Sequence, residues 1–301
     1  MAGMKFLFYH KDIERYSKQE KMLQACVSGA AVHGDEVIPV DHWDRIPMHV
    51  TGCVLLGFGK VNKWIFDAYI NAHDVVYWDT GYIGCNHWRV SVNSHQPIAY
   101  FMNKDQKPDR WKRLGVEVKP YNRPGRIEYQ RKGTHILFDG ASNKFIRWHE
   151  LGGNDFRMAW HNWGLEIAKK IQESTKKPII YRPRPSTRAK FQPALPIPGT
   201  EFSDGPLHED FDRAAVVVSY GGTIGVDSVV YGVPHFAIGN SPARPVSETA
   251  WARLDHPFIP SDKQRLQYLH NLAYCQWTLE EIASGEAWGH IKQYFRSPMS
   301  F

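Results

Sequence analysis

Short apolar runs alternate with helix-like segments along most of the chain, and this alternation limits the possible folds more than any other feature. Residues 52–57 (GCVLLG) are apolar throughout and bounded by glycines, which is typical of a strand covered on both faces. Residues 214–219 (AAVVVS) form the most strand-like segment. Because segments with helical spacing follow such runs, the pattern predicts an α/β fold with parallel sheets.

The same reasoning places further elements along the chain. Strands are predicted at 5–10, 36–40, 52–57, 74–78, 135–138, 179–181, 214–219 and 235–238. Helices are predicted at 12–31, 62–72, 154–171, 223–231, 265–274, 278–284 and 287–294. Residues 79–97 fit no clean period and are expected to form a loop-rich insert.

The length of 301 residues suits two domains of about 150 residues each. A fresh α/β pattern begins near residue 134, so we expect an N-terminal domain at 1–133 and a second domain at 134–285. A last helix at 286–301 is expected to pack back on the N-terminal domain. No apolar run approaches the roughly 20 residues of a membrane-spanning helix, and the start of the chain lacks a signal-peptide core, so a cytoplasmic location is expected.

The positive charge of the chain is concentrated in two segments. The net charge is +6, but residues 104–132 hold ten Lys or Arg against four Asp or Glu, and residues 176–190 hold six Lys or Arg and no acid. Each segment therefore carries +6, and the rest of the chain sums to −6. Localised positive charge indicates an anionic partner such as a nucleotide, a nucleic acid or an acidic glycan.

The strongest motif is a glycine-rich turn between a predicted strand and a predicted helix. Residues 219–223 read Ser-Tyr-Gly-Gly-Thr, and a Gly-Val-Pro stop and another strand follow the helix. Backbone N–H groups at such a turn suit a phosphate, and the Ser219 and Thr223 hydroxyls could add donors. An ordinary structural turn would look the same. The turn matches neither the P-loop nor the dinucleotide-binding pattern, and no histidine spacing indicates a metal site.

This order of strand, Ser/Thr-Gly-rich turn, helix, G-V-P and strand resembles the donor half of GT-B glycosyltransferases, most of all capsule-type and phage-encoded members. Residues 179–186 (IIYRPRPS) are similar to the R-P-x-P element of that group, with Arg184 where histidine is usual. The resemblance covers about residues 135–285. It implies two Rossmann-like α/β domains facing a cleft, and metal-independent transfer from a nucleotide sugar, most simply a UDP-sugar, with no other cofactor.

The resemblance also implies roles for individual residues. Donor contacts are expected from the turn and helix that follow β-strand 214–219, from two arginines that could clamp a diphosphate, and from an acid after the last donor strand. These residues are Arg182, Arg184, Ser219, Gly221, Gly222, Thr223 and Glu248.

Asp79 is the first choice for the base that an inverting transfer needs, because it directly follows a buried strand. It could equally cap a turn before Gly81. His87, His95 and Asp12 are alternative bases. Neighbouring aromatic and basic groups could stack on the acceptor, and these are Tyr82, His87, Trp88 and Arg89.

The acceptor is left open between two chemistries. The basic segment favours DNA carrying a hydroxymethylated pyrimidine such as hydroxymethylcytosine, as in bacteriophage DNA modification, which would place the enzyme in the host cytoplasm. DNA-binding phosphate contacts are then expected from Lys107, Arg110, Lys112, Arg113, Arg123 and Arg126. A capsule or lipopolysaccharide glycan is the alternative, and a non-catalytic nucleic-acid-binding protein on a degenerate transferase fold is the second alternative.

Overall fold

A computed structural model describes residues 3–9, 17–40, 49–57, 67–68, 71–84, 86–94, 105–121, 133–140, 159–183 and 196–295. Most of the helix predicted at 62–72 lies outside these ranges, as do Asp12, His95, Arg123, Arg126 and Arg184. The chain divides into two compact units. Unit 1 contains Met1–Leu114 and Leu269–Phe301, and unit 2 contains Gly115–Tyr268. These divisions differ from the boundaries at 133/134 and 285/286 expected from the sequence.

Unit 1 is built on a six-stranded sheet with the order β11-β5-β4-β3-β1-β2. Its strands are β1 (Lys5–Tyr9), β2 (Glu36–Val40), β3 (Gly52–Leu56), β4 (Asp74–Thr80), β5 (Trp88–Val92) and β11 (Gln276–Trp277). Pairing is parallel from β2 to β4, and β5 and β11 add antiparallel strands at one edge. The fully buried run of β3 explains why this sheet reads as apolar segments.

Strand β5 is a correction to the expected loop at 79–97. Its sequence WRVSV carries Arg89 and Ser91, yet both side chains are buried. The strand is held by antiparallel pairing with β4, where Asp79 is the register partner of Arg89. The neighbouring strand therefore supplies the partner that the buried Arg89 side chain needs.

The helices of unit 1 come from both ends of the chain. They are α1 (Ser17–Val32), α2 (Asp109–Leu114), α7 (Leu279–Ala283) and α8 (Glu286–Lys292), and α6 (Asp262–Ala273) spans the division between the units. Thr278 and Glu281 form a capping box that starts α7. Both α7 and α8 pack against α1, and the Trp288 indole N–H donates to Asp35 at 3.0 Å.

Unit 2 contains a five-stranded, entirely parallel sheet with the order β10-β9-β6-β7-β8. The strands are β6 (His135–Gly140), β7 (Ile179–Pro183), β8 (Glu201–Phe202), β9 (Ala214–Ser219) and β10 (His235–Ala237). The helices are α3 (Ala159–Ser174), α4 (Leu207–Arg213) and α5 (Ile224–Tyr231). Apolar clusters cover both faces, one formed with α3 and the other with α4 and α5. All five strands run the same way, so their carboxyl ends share one edge.

No helix in the described part of the chain is long and apolar enough to cross a membrane. Cys26, Cys53 and Cys275 are buried free thiols, and burial raises the pKa of each.

Candidate functional site

The glycine turn (220–223) lies at the carboxyl edge of the unit 2 sheet, between β9 and α5. Thr223 is the N-cap residue, it is exposed, and it makes no side-chain capping hydrogen bond to the first amides of the helix. Amide groups at an uncapped helix start attract an anion, and the helix dipole adds to the effect. Gly221 is buried and Gly222 is half-buried, so Thr223 is the outermost residue of the turn.

Asp139 is a neighbour of this turn that sequence reasoning did not assign. It is the penultimate residue of β6 and the register partner of Arg182 in β7. A Cβ atom added to Gly222 would lie 3.1 Å from the Asp139 Oδ2 atom. A carboxylate here would repel a phosphate but could accept a hydrogen bond from a sugar or ribose hydroxyl. The Asp-Gly end of β6 was visible in the sequence, whereas its closeness to the turn was not.

Two more charged residues near the turn were missed. Asp227 lies in the first turn of α5, and burial raises the pKa of its carboxyl to about 6. Arg244 is exposed in the segment after β10, where its Nη1 donates to the Gly239 carbonyl at 3.1 Å. Neither matches a motif, so no sequence signal distinguished them from other surface charges.

Arg182 is anchored inside unit 2. Its Nη1 donates to Asp210 Oδ2 and to the Gly205 carbonyl, both at 2.7 Å, and lies 3.4 Å from Ser203 Oγ. Asp210 is itself buried. This ion pair fixes the loop between β8 and α4 to the end of β7. The Nη1 side of the guanidinium is therefore not available to bind the phosphates of a nucleotide sugar. Arg184, the second member of the expected clamp, lies outside the described residues.

Ser219 is a second correction to the expected donor site. Its side chain is fully buried, and its Oγ lies 2.8 Å from His235 Nε2. The hydroxyl therefore faces the interior of unit 2 and cannot reach a bound phosphate.

Glu248 has a structural role in place of the expected contact with donor hydroxyls. One carboxylate oxygen accepts the N–H groups of Thr249 and Ala250, both at 2.9 Å, and the other accepts the Phe258 N–H at 3.0 Å. Arg253 Nε is 3.2 Å away. Burial alone would raise the pKa of Glu248, but these hydrogen bonds and Arg253 outweigh burial and lower it.

Asp79 lies at the carboxyl end of β4 in unit 1, as predicted. Its carboxylate accepts hydrogen bonds from Arg89 Nη2 at 2.8 Å, the Tyr77 hydroxyl at 3.0 Å and the Thr80 N–H at 2.8 Å. Burial would raise the pKa of Asp79, but the charge of Arg89 and these bonds hold it below its ordinary value. The side chain keeps 32% exposure. It is thus an ionised, firmly oriented carboxylate with a solvent-facing side.

The expected acceptor residues around Asp79 differ in exposure. Tyr82 and Arg89 are buried, and the Arg89 guanidinium lies 5.3 Å from the Tyr82 ring centroid. His87 and Trp88 are half-buried, and burial lowers the pKa of His87. Of these four residues, His87 and Trp88 are accessible to an acceptor. Arg89 is buried and donates a hydrogen bond to Asp79.

The basic segment contains one arginine that is part of the core of unit 1. Arg110 donates to both Glu281 carboxylate oxygens at 2.9 Å and to the Gln276 and Ala273 carbonyls. Its guanidinium lies 3.5 Å from the Trp277 ring centroid. This overturns the expectation that Arg110 contacts DNA phosphates, because the charge is buried and neutralised.

Of the other described cations of this segment, Lys119 is half-buried with its Nζ 3.6 Å from the Tyr231 ring centroid, and the remaining three are exposed. Arg113 pairs with Glu286 at 3.3 Å and Glu281 at 3.5 Å, while Lys107 and Lys112 face solvent. Within the described ranges, no three or more His, Cys, Asp or Glu side chains are grouped so that they could hold a metal ion.

No protein-family model and no curated protein matches this chain. Among solved structures, it is similar to Thermosulfurimonas dismutans KpsC described as a beta Kdo 2,7 transferase, with a TM-score of 0.51, 12% identity, and 94% of this chain and 98% of that chain covered. A second KpsC structure, described as a beta Kdo 2,4 transferase, has a TM-score of 0.50, 10% identity, and 91% and 92% covered.

A third structure, the glycosyltransferase SnogD from Streptomyces nogalater, covers 97% of this chain and 100% of that one at 11% identity with a TM-score of 0.30. At these identities the KpsC likeness shows the fold alone. It confirms the predicted α/β fold of GT-B-like type, shared with structures described as transferases.

Proposed function

We propose that this protein is a glycosyltransferase that uses a nucleotide sugar. The observation that carries the proposal is the glycine turn, which leads into an uncapped helix at the carboxyl edge of a parallel sheet. Ligands of open α/β sheets bind at this edge. The GT-B-like fold supports the same conclusion, because it is shared with structures described as transferases.

The donor end of the proposed reaction uses backbone groups first. Amides of the glycine turn and of the start of α5 would hold the donor phosphate, and the exposed Thr223 hydroxyl could add one hydrogen bond. As the bond from the sugar to the phosphate breaks, negative charge grows on the leaving nucleotide. Preorganised donors stabilise that charge without reorganising. We expect a UDP-sugar as co-substrate and no further cofactor.

The acceptor end is proposed to use Asp79. An ionised carboxylate held by Arg89, Tyr77 and Thr80 can accept a hydrogen bond from an acceptor hydroxyl and take its proton as the new bond forms. Its lowered pKa makes it a weak base, so we expect its main contribution to be late in the transfer, when the hydroxyl has become acidic.

A glycan acceptor is favoured over DNA because arginines of the basic segment are paired with acidic side chains. Arg110 is buried against Glu281, and Arg113 is paired with three acids, so neither offers an unpaired charge to phosphates. A capsule-type or lipopolysaccharide-type glycan needs no such array. Hydroxymethylated DNA remains the competing proposal and depends on Lys107, Lys112 and the residues outside the described ranges.

The donor site is tested with Gly222→Ala. The added methyl group would approach Asp139 Oδ2 to 3.1 Å, so the turn or the carboxylate must move. Gly205→Ala is the matched control, because its nearest described neighbour would be 3.8 Å away. We expect UDP, CDP, GDP or CMP to raise the melting temperature of wild type and the control but not of Gly222→Ala. If no nucleotide stabilises the wild-type protein, the proposal fails.

The acceptor is tested by a transfer screen that reads products by mass spectrometry. Anionic oligosaccharides and duplexes containing hydroxymethylcytosine or hydroxymethyluracil are offered with each donor sugar. A sugar added only to the oligosaccharides supports the glycan proposal. Transfer to the duplex, with DNA affinity that falls as salt rises, would overturn it in favour of DNA.

A further inference from the structure

A buried chain of hydrogen bonds lies directly beneath the glycine turn. His235, the first residue of β10, is fully buried between two serines. Its Nε2 lies 2.8 Å from Ser219 Oγ, and its Nδ1 lies 2.6 Å from Ser247 Oγ. Ser247 Oγ in turn donates to the Ala243 carbonyl at 2.5 Å. These hydrogen bonds connect the end of β9 to the segment that follows β10.

The direction of every bond in this chain can be deduced. A carbonyl only accepts, so the Ser247 proton points to Ala243 and its oxygen must accept from His235 Nδ1–H. Burial lowers the pKa of His235 to about 3, so the ring is neutral and its Nε2 carries a lone pair. The Ser219 hydroxyl must therefore donate to Nε2. One tautomer of His235 is fixed by a carbonyl two hydrogen bonds away.

The imidazole also packs against the start of α5. A Cβ atom on Gly225 would lie 2.8 Å from the His235 Cε1 and Nε2 atoms and 3.0 Å from Ser241 Oγ. The ring thus contacts the first turn of the helix as well as Ser219, the residue just before the glycine turn. The His235 side chain therefore contacts residues on both sides of the glycine turn, Ser219 before it and Gly225 after it.

We propose that His235 is a positioning residue for the glycine turn, and that Ser247 controls the turn through the tautomer of His235. The proposal rests on the proposed donor role of the turn. Its distinctive consequence concerns Ser247, whose hydroxyl is hydrogen-bonded to His235 and to the Ala243 carbonyl and reaches Ser219 only through the imidazole. Removing the Ser247 hydroxyl frees Nδ1, lets the ring exchange tautomers, and weakens the Ser219 bond.

The experiment compares three serine variants. Ser219→Ala removes the link to the turn, and Ser247→Ala removes the control of the tautomer. Ser228→Ala is the matched control, because Ser228 is equally buried and donates one hydrogen bond, to the Gly225 carbonyl at 2.8 Å, outside the chain. Ser219→Ala and Ser228→Ala should lose similar stability, since each loses one buried neutral hydrogen bond, whereas Ser247→Ala loses two and should lose more.

Two measurements distinguish an effect on the glycine turn from a general loss of stability. Amide hydrogen exchange is measured by mass spectrometry in peptides covering the glycine turn, and affinity is measured for UDP, CDP, GDP and CMP. Ser219→Ala and Ser247→Ala should speed exchange at the turn and weaken nucleotide binding about two- to twelvefold, the equivalent of about 0.5–1.5 kcal/mol. Ser228→Ala should change neither.

The tautomer is read directly from imidazole ¹⁵N spectra, with the His235 signal identified by its loss in His235→Phe. Wild type should show Nδ1–H and no titration down to pH 4, and Ser247→Ala should show a mixture. An Nε2–H ring in wild type, or unchanged turn exchange in Ser247→Ala, would overturn the proposal. If wild type binds none of the four nucleotides, the proposed function and the donor role of the turn both fail. Amide exchange at the turn and the tautomer of His235 still test whether Ser247 acts on the turn through His235.

Discussion

Replacing Asp227 with asparagine should stabilise the protein at neutral pH. Burial raises the pKa of this carboxyl from 3.8 to about 6, so the folded protein binds the proton more tightly than the unfolded chain. As pH rises from 4 through 6, the folded state must ionise a partly buried carboxyl, and stability is lost. Asparagine has nearly the same shape and never ionises, so the variant avoids that loss.

The magnitude follows from the size of the shift. A rise of about two pKa units, at about 1.36 kcal/mol for each unit, sets an upper limit of about 3 kcal/mol at pH 8. The gain should fall to about half of that at pH 5 and vanish below about pH 4, where aspartic acid is protonated in both states. The gain therefore depends on pH in a way that improved helix propensity could not reproduce.

The assay is urea denaturation of wild type and Asp227→Asn at pH 5, 6, 7 and 8, followed by tryptophan fluorescence. Asp204→Asn is the control, because Asp204 is an exposed carboxylate of the same unit and should change stability by less than about 0.5 kcal/mol. A gain that does not vary with pH, or a loss at pH 8, would refute the reasoning. A stabilised variant with weaker nucleotide binding would also indicate that the carboxylate is kept for function.

Two further substitutions test the acceptor unit. Asp79→Asn should lower the transfer rate by about 10²–10⁴-fold while nucleotide affinity stays unchanged, and Tyr77→Phe, which leaves the carboxylate in place, should retain most activity. Turnover retained in Asp79→Asn would remove the residue as the base. Arg110→Ala should cost about 3–5 kcal/mol in urea denaturation because it leaves Glu281 without its buried partner, and lysine should recover only part because it cannot form the paired bonds. A loss below about 1 kcal/mol would contradict the structural role of Arg110.

The sequence predicted those parts of the fold that depend on local patterns. The apolar runs of β3 and β9 and the glycine turn before α5 lie where the pattern placed them, because buried parallel strands and helix starts have local signatures. Strand β5 was missed because its buried Arg89 is satisfied by Asp79 on the neighbouring strand. Local polarity cannot reveal a partner of that kind.

Site residues were harder to predict for a related reason. Glu248 and Ser219 have residue types that suit a donor site, and both lie close to one in sequence. Their side chains are nevertheless bound within unit 2, Glu248 by backbone amides and Ser219 by His235. Residue type gives the hydrogen bonds that a side chain can make, whereas the fold decides which partner it meets.

The source of positive potential at the proposed donor site changes with this structure. The sequence favoured a guanidinium clamp, but Arg182 is paired with buried Asp210, and Arg253 is paired with Glu248. Within residues 238–250, which follow β10 directly, Arg244 is the one cation, and it is exposed. Backbone amides at the start of α5 must then supply much of the attraction. Their dipoles act at short range, so nucleotide binding should depend more on turn geometry than on salt, and the hydrogen bonds beneath the turn gain importance for that reason.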